Sequence, residues 1–258
     1  MKKLDRFTAM CIGGALVAVV LSMIMDGASP AALLKPAPLI LVFGGTIAVG
    51  AAGLMKKDVK SIKQIFKLAL GVPETDPAED IARLVNLADV ARRDGLLALE
   101  QAAGEIDDPF LAKGIQMTVD GVDSDEIEEI LETEIAAMKE RHKAGAKFFA
   151  DMGGYAPTLG IIGTVIGLIH VLGNLSNPNA LGPAIGSAFT ATLWGVMSAN
   201  LFWLPISNKL KRASELEVSS KRMILAGLLA VQAGSTPRMV ATRLQAYRAA
   251  SERADEAA

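Results

Sequence analysis

The sequence predicts an all-α membrane protein with four transmembrane helices and a helical cytoplasmic domain between the second and the third. Three observations predict it. The 258-residue chain is 51% hydrophobic and 21% charged, with mean hydropathy +0.36, too apolar for an ordinary soluble domain. Its charges are segregated: Phe7 to Met25, Pro36 to Met55 and Met152 to Asn208 contain no Lys, Arg, Asp or Glu. Between the second and third of these runs, Asp-Pro pairs and glycines punctuate a helix-forming sequence at Asp76-Pro77, Gly95, Asp108-Pro109 and Gly121. Crossing the hydrocarbon takes about 20 apolar residues, so the longest run holds two spans.

The first span, residues 7–25, follows Lys2, Lys3 and Arg6. No small-residue cleavage signal follows its apolar core, so it reads as a retained helix rather than a signal peptide. The second span covers 36–55 and is followed by Lys56, Lys57, Lys60 and Lys63. Lys143 and Lys147 precede the third span, 148–172, and Lys209, Lys211 and Arg212 follow the fourth, 184–207. The opposite connections carry Lys35 as their sole basic residue. By the positive-inside rule both termini and the large middle segment, 56–147, face the cytoplasm of a multi-pass inner-membrane protein embedded in lipid.

In that middle segment, helices are expected from Pro77 to about Arg93 and from Pro109 to near Gly121. A third should begin at Asp123, where Ile127, Ile130, Leu131, Ile135 and Met138 recur at helical spacing. No Gly or Pro follows before Gly145, so this helix is expected to run into the third span, a rod of about 70 Å at 1.5 Å per residue. Residues 208–258 read as a polar, helix-permissive cytoplasmic tail.

Several function classes are excluded. There is no H-E-x-x-H, Walker loop or G-x-G-x-x-G, and the histidines are His142 and His170, which argues against an enzyme, a metal site or a bound cofactor. No basic patch interleaved with aromatics points to nucleic acid. Cys11, the single cysteine, sits in the first span as a packing residue. The third span carries Pro157, expected to remove a backbone hydrogen bond and kink the helix, then Gly160, Gly163 and Gly167. Thr164 lies two turns beyond Pro157 on the same face, either as helix glue or as part of a polar path. The fourth span contributes Ser187, Thr190, Thr192 and Ser198, then Pro205. No span contains a carboxylate, so if the protein conducts ions the titrating group must come from a partner.

The stretches Ile130-Leu131-Glu132-Thr133-Glu134-Ile135, Gly145-Ala146-Lys147-Phe148-Phe149 and Met152 to Ile169, with Phe43-Gly44-Gly45-Thr46, Gly182-Pro183-Ala184-Ile185 and Leu204-Pro205-Ile206, resemble the motility protein A family (MotA/PomA) over almost the whole chain. The resemblance implies an ion-conducting stator subunit of the flagellar motor. Such a subunit forms a homo-oligomer, five copies around two of motility protein B, whose aspartate binds the translocated ion, H+ or Na+. It implies that Pro157 and Pro205 act in gating and that Thr164 and Thr192 line the ion path. It also implies that Arg92, Arg93 and Glu100 contact the rotor protein FliG. Ala191 stands where sodium-type members have the first threonine of a pair, which leaves the ion open. The alternatives are an ExbB/TolQ-type energiser, expected to have three spans, and a non-conducting membrane scaffold.

Overall fold

The computed structural model describes residues 6–55, 77–104 and 106–248, all in helices, turns and irregular segments, with no strand among the described residues. The chain divides into two compact units, Met1–Val72 with His142–Arg212, and Pro73–Arg141 with Ala213–Ala258. Helix α6 (Ser124–Leu172) is unbroken through Pro157 and contributes residues to both units. The long uninterrupted helix expected from Asp123 onward is therefore present.

The first unit contains α1 (Arg6–Met25), a short 3-10 turn (Pro30–Leu34), α2 (Pro36–Ala52), the second half of α6, and α7 (Pro178–Ser198). A π turn (Ala199–Trp203) joins α7 to α8 (Leu204–Gln232), whose first residues also lie in this unit. A second π turn, Ile40–Gly44, lies inside α2. Arg6–Met25, Ser124–Leu172 and Leu181–Gln232 are long and apolar enough to cross a membrane, and Pro36–Ala52 is a shorter apolar helix. None of the residues of α1 is buried, as expected for a helix whose sides face lipid or other chains.

Small residues set how closely α6 and α7 approach. A Cβ on Gly195 would lie 2.7 Å from the Ala156 carbonyl oxygen and 3.0 Å from Gly160 Cα, and a Cβ on Gly160 would lie 2.9 Å from the Ala191 carbonyl oxygen. Backbone meets backbone here, the arrangement small residues permit between membrane helices. At the other end of the unit, Phe148, Phe149 and Met152 pack with Trp203, Ile206 and Leu210, and the Ser207 hydroxyl donates to the Ala146 carbonyl at 2.8 Å.

The second unit contains α3 (Pro77–Asp94), α4 (Leu99–Ala103), α5 (Pro109–Val119), the start of α6, the rest of α8, and α9 (Pro237–Leu244). Gly95 (φ +87) ends α3 and Gly121 (φ +76) follows α5, each in the left-handed region that a side chain rarely adopts. Asp108 accepts from the Phe110 N–H to cap α5, and the same carboxylate receives Lys221 Nζ at 2.8 Å on each oxygen. Lys221 also lies 5.0 Å above the Phe110 ring. Ser220, its neighbour in sequence, donates to Asp80 at 3.3 Å. Burial holds the Asp80 carboxyl above the usual carboxylate value, against the opposing effects of that hydrogen bond and of Arg83. The expected cap Asp76, the basic residues Lys56 to Lys63, Lys2, Lys3 and the last ten residues of the chain lie outside the described residues.

One segment differs from expectation. The described part of the expected tail, residues 208–248, does not read as a tail in the structure: α8 continues to Gln232, and its Val218, Met223, Ile224, Leu225 and Leu228 join Ile81, Leu84, Ile115, Ile127 and Leu131 in one core. Helix α9 closes that core with Val240 and Leu244, both fully buried. The reason is an apolar helical stripe whose charged neighbours find partners in the domain, Lys221 on Asp108 and Arg222 on Glu132 at 3.0 Å.

These contacts set the cost of three substitutions. Gly195→Ala forces a methyl against backbone that has no rotamer to turn aside, so thermal unfolding in detergent should show a loss of about 1–3 kcal/mol. In the second unit, Asp108→Ala removes both a helix cap and the partner of a largely buried ammonium, so it should cost more than the ~1 kcal/mol of a cap alone. Arg222→Ala, which breaks an exposed pair, should cost about 0–1 kcal/mol in the same assay.

Candidate functional site

The close α6–α7 seam decides where the span hydroxyls go. Because Gly160 and Gly195 bring the two backbones together, Thr164 on α6 and Thr192 on α7 meet across the seam and their hydroxyls hydrogen-bond to each other. The Thr164 hydroxyl lies 3.1 Å from both the Gly160 and the Ala188 carbonyl oxygens, and the Thr192 hydroxyl lies 3.4 Å from Gly160 O. Each hydroxyl carries one proton and faces more acceptors than it can serve, so oxygen lone pairs remain free at this point. Both threonines are half-buried. The result is a neutral, oxygen-rich spot in an apolar face.

Pro157 belongs to the same seam: a Cβ on Gly195 would lie 3.2 Å from Pro157 Cα. The structure therefore brings Pro157, Thr164 and Thr192 together. Pro205 stands apart from them, at the second residue of α8, directly after the π turn. Its missing N–H leaves the helix ladder one donor short at that point. Ala191, beside Thr192, packs its Cβ where a side chain on Gly163 would come within 2.6 Å.

Arg92, Arg93 and Glu100 lie in the other unit. Arg92 and Arg93 occupy the last turn of α3 and Glu100 the first turn of α4, all exposed, with the Gly95 turn between them. Each charge suits its end of a helix dipole. Arg93 reaches back to Asp89 at 3.2 Å. Leu97, between them, is 73% exposed. The arrangement is a charged tip with an apolar residue at its centre.

Sequence reasoning missed the contacts that tie α7 to the segment between α1 and α2. Trp194 Nε1 donates to the Leu33 carbonyl at 2.7 Å and Lys35 Nζ donates to the Pro183 carbonyl at 3.1 Å. Lys35 was visible as the one basic residue in the outer connections, but its partner is a carbonyl and leaves no trace in sequence. Thr190 bonds its own helix at Gly186 O, 2.7 Å away. His170 is exposed near the end of α6, where the Asn174 side chain donates to its carbonyl at 2.8 Å.

Known proteins resemble this chain over most of its length. The chain is 37% identical over 251 residues to motility protein A of Bacillus subtilis (strain 168), covering 97% of this chain and 93% of that protein. The chain belongs to the motility protein A family. It is also 34% identical to the chemotaxis protein PomA of Vibrio alginolyticus, over 98% of this chain and 99% of that one. Residues 102–223 match the description of the MotA/TolQ/ExbB proton channel family. Among solved structures, the flagellar MotAB stator complex from Bacillus subtilis superposes with TM-score 0.91 at 37% identity, covering 97% of this chain and 99% of that chain. The C. jejuni MotAB structure superposes with TM-score 0.92 at 30% identity, covering 96% and 97%.

The seam makes a prediction of its own. Thr164→Val and Thr192→Val keep the shape but delete an interhelical hydroxyl, so each should lower stability by only about 0.6–1.7 kcal/mol in a lipid-based unfolding assay. A loss several times larger would mean that the hydroxyls primarily hold the two helices together.

Proposed function

We propose that this chain is an ion-conducting stator subunit of the bacterial flagellar motor, working with a single-span motility protein B type partner that supplies the carboxylate. The observation that carries the reading is the Thr164–Thr192 hydroxyl pair, an oxygen-rich spot within the stretch 152–208, which holds no acid of its own. A cation moving through hydrocarbon needs a charged or oxygen-lined path. In this reading the hydroxyl pair supplies half of that path and the partner's carboxylate the other half. Homologues named motility protein A and stator complexes of the same fold support the reading over an ExbB/TolQ-type energiser or a scaffold.

In this reading α1, α2, the second half of α6 and α7 with the start of α8 are the four spans of a multi-pass inner-membrane protein with cytoplasmic termini. The second unit is the cytoplasmic domain. Several copies, five by the family pattern, surround the partner's helices within the lipid. Pro157 and Pro205 mark the points where α6 and the α7–α8 helix can bend during gating, since each removes one rung of the helix ladder. Arg92, Arg93 and Glu100 present charge to the rotor protein FliG, and an exposed pair worth about 0–1 kcal/mol suits a contact that forms and releases repeatedly. No cofactor is required beyond the translocated H+ or Na+.

Ion flux in liposomes tests the proposal. The chain alone should give no cation leak, and the chain with an unplugged B-type partner should conduct. Thr192→Val should cut that flux roughly tenfold or more, the scale of about 1.4 kcal/mol in a barrier. Running H+ and Na+ gradients separately identifies the ion. A leak from the isolated chain, or no flux with any B-type partner, overturns the reading.

A further inference from the structure

Two helices of the first unit each contain one π turn, Ile40–Gly44 in α2 and Ala199–Trp203 between α7 and α8. A π turn accommodates one residue more than the α ladder allows, and such turns concentrate at functional positions. In the second of them, the Leu204 N–H donates to the Ala199 carbonyl, five residues back. Pro205 follows immediately, so the ladder loses a donor where the turn has already widened. Converting this turn from π to α therefore exchanges fewer hydrogen bonds than the same change in an unbroken helix.

One side chain joins the two turns. Phe43, in the π turn of α2, makes edge contacts with Trp194 at 5.4 Å and with Trp203 at 6.3 Å between ring centroids. Trp194 stands on α7 before the second π turn, and Trp203 is its last residue. The phenyl ring thus touches the helix on both sides of its irregular segment. Trp194 is anchored through Nε1 to the Leu33 carbonyl, whereas the buried Trp203 Nε1 has no hydrogen-bond partner among the described residues. The α7 side of the contact thus has a polar anchor that the Trp203 side lacks. Gly44 and Gly45 follow Phe43 directly, and a Cβ on Gly44 would meet nothing within 4 Å.

We propose that Ala199–Trp203 is a hinge in the fourth apolar helix and that Phe43 is the positioning residue that sets it, holding the π turn by its edge contacts with Trp194 and Trp203. Residues beyond the hinge, from Leu204 onward, can change register by converting the π turn to an α turn while α7 and its threonine seam stay in place. The proposal goes beyond the stator reading, because it concerns the mechanics of one helix and holds or fails whether or not the chain conducts.

Hydrogen exchange on the full chain in lipid nanodiscs tests it. Amides of Asn200 to Leu204 should exchange at least roughly tenfold faster than those of Leu193 to Ser198 and of Ser207 to Leu210. Phe43→Leu, which keeps an apolar side chain but removes the ring, should accelerate exchange in 200–204 by a further order of magnitude and leave the α6 seam unchanged. Phe43→Trp, which restores an aromatic edge, should bring it back toward the parent rate. Uniform protection from 193 to 210 overturns the hinge. Acceleration spread over the whole unit in Phe43→Leu, or no rescue by Phe43→Trp, overturns the positioning role and makes Phe43 an ordinary packing residue.

Discussion

Everything in the first unit depends on the close backbone approach of α6 and α7 at Gly160 and Gly195. Where a side chain on either glycine would run into backbone, the helices come near enough for the Thr164 and Thr192 hydroxyls to meet. In hydrocarbon there is no hydrophobic driving force between helices, so packing and interhelical hydrogen bonds must hold them. The same contact supplies both: glycines give the fit, and the threonines they admit give the polar face. The packing role and the proposed functional role of this seam thus rest on one arrangement.

The second unit is held by a different kind of constraint. Its core is ordinary hydrophobic burial, but its topology is fixed by α8, a helix that begins in the first unit and ends among α3, α5 and α6. Asp108 joins the cap of α5 to Lys221 of α8, and Gln232 at the end of α8 donates to the Val122 carbonyl at 2.7 Å. These bonds sit at the rim of a core lined by Leu84, Leu131 and Leu228. Gly114 gives Leu228 its place there: a Cβ would lie 2.4 Å from a Leu228 methyl, which would have to shift. The charged tip at Arg92 to Glu100 is carried on α3, whose buried face packs into this core, so its geometry rests on a rigid base.

Much of this was legible in sequence because the signals were local. Asp108-Pro109 announced its cap, Gly95 and Gly121 their turns, and the stripe from Ile127 to Met138 its helix. The uncharged runs marked the apolar helices. The α8–α9 core was not legible as such, because Val218, Met223, Ile224 and Leu228 are interleaved with Lys221 and Arg222. Those charges look like solvated surface until Asp108 and Glu132 are seen beside them. Both π turns were invisible for a similar reason: no residue within Ile40–Gly44 or Ala199–Trp203 forbids an α turn. At the seam, Thr164 could be placed on the Pro157 face from spacing, but its meeting with Thr192 depended on the depth of approach, which glycine spacing suggests and only coordinates fix.

The account stands on the claim that the Thr164–Thr192 face is one wall of an ion path whose acid comes from another chain. A cryo-EM map of this chain bound to its B-type partner in lipid tests that claim most directly, through the position of the partner's membrane-depth carboxylate. The account predicts that carboxylate within direct contact, or within one bridging water, of the Thr192 hydroxyl. A partner helix seated with its acid against α1 or the lipid-facing side of α6, and Thr164 and Thr192 enclosed between protein helices away from it, would contradict the account.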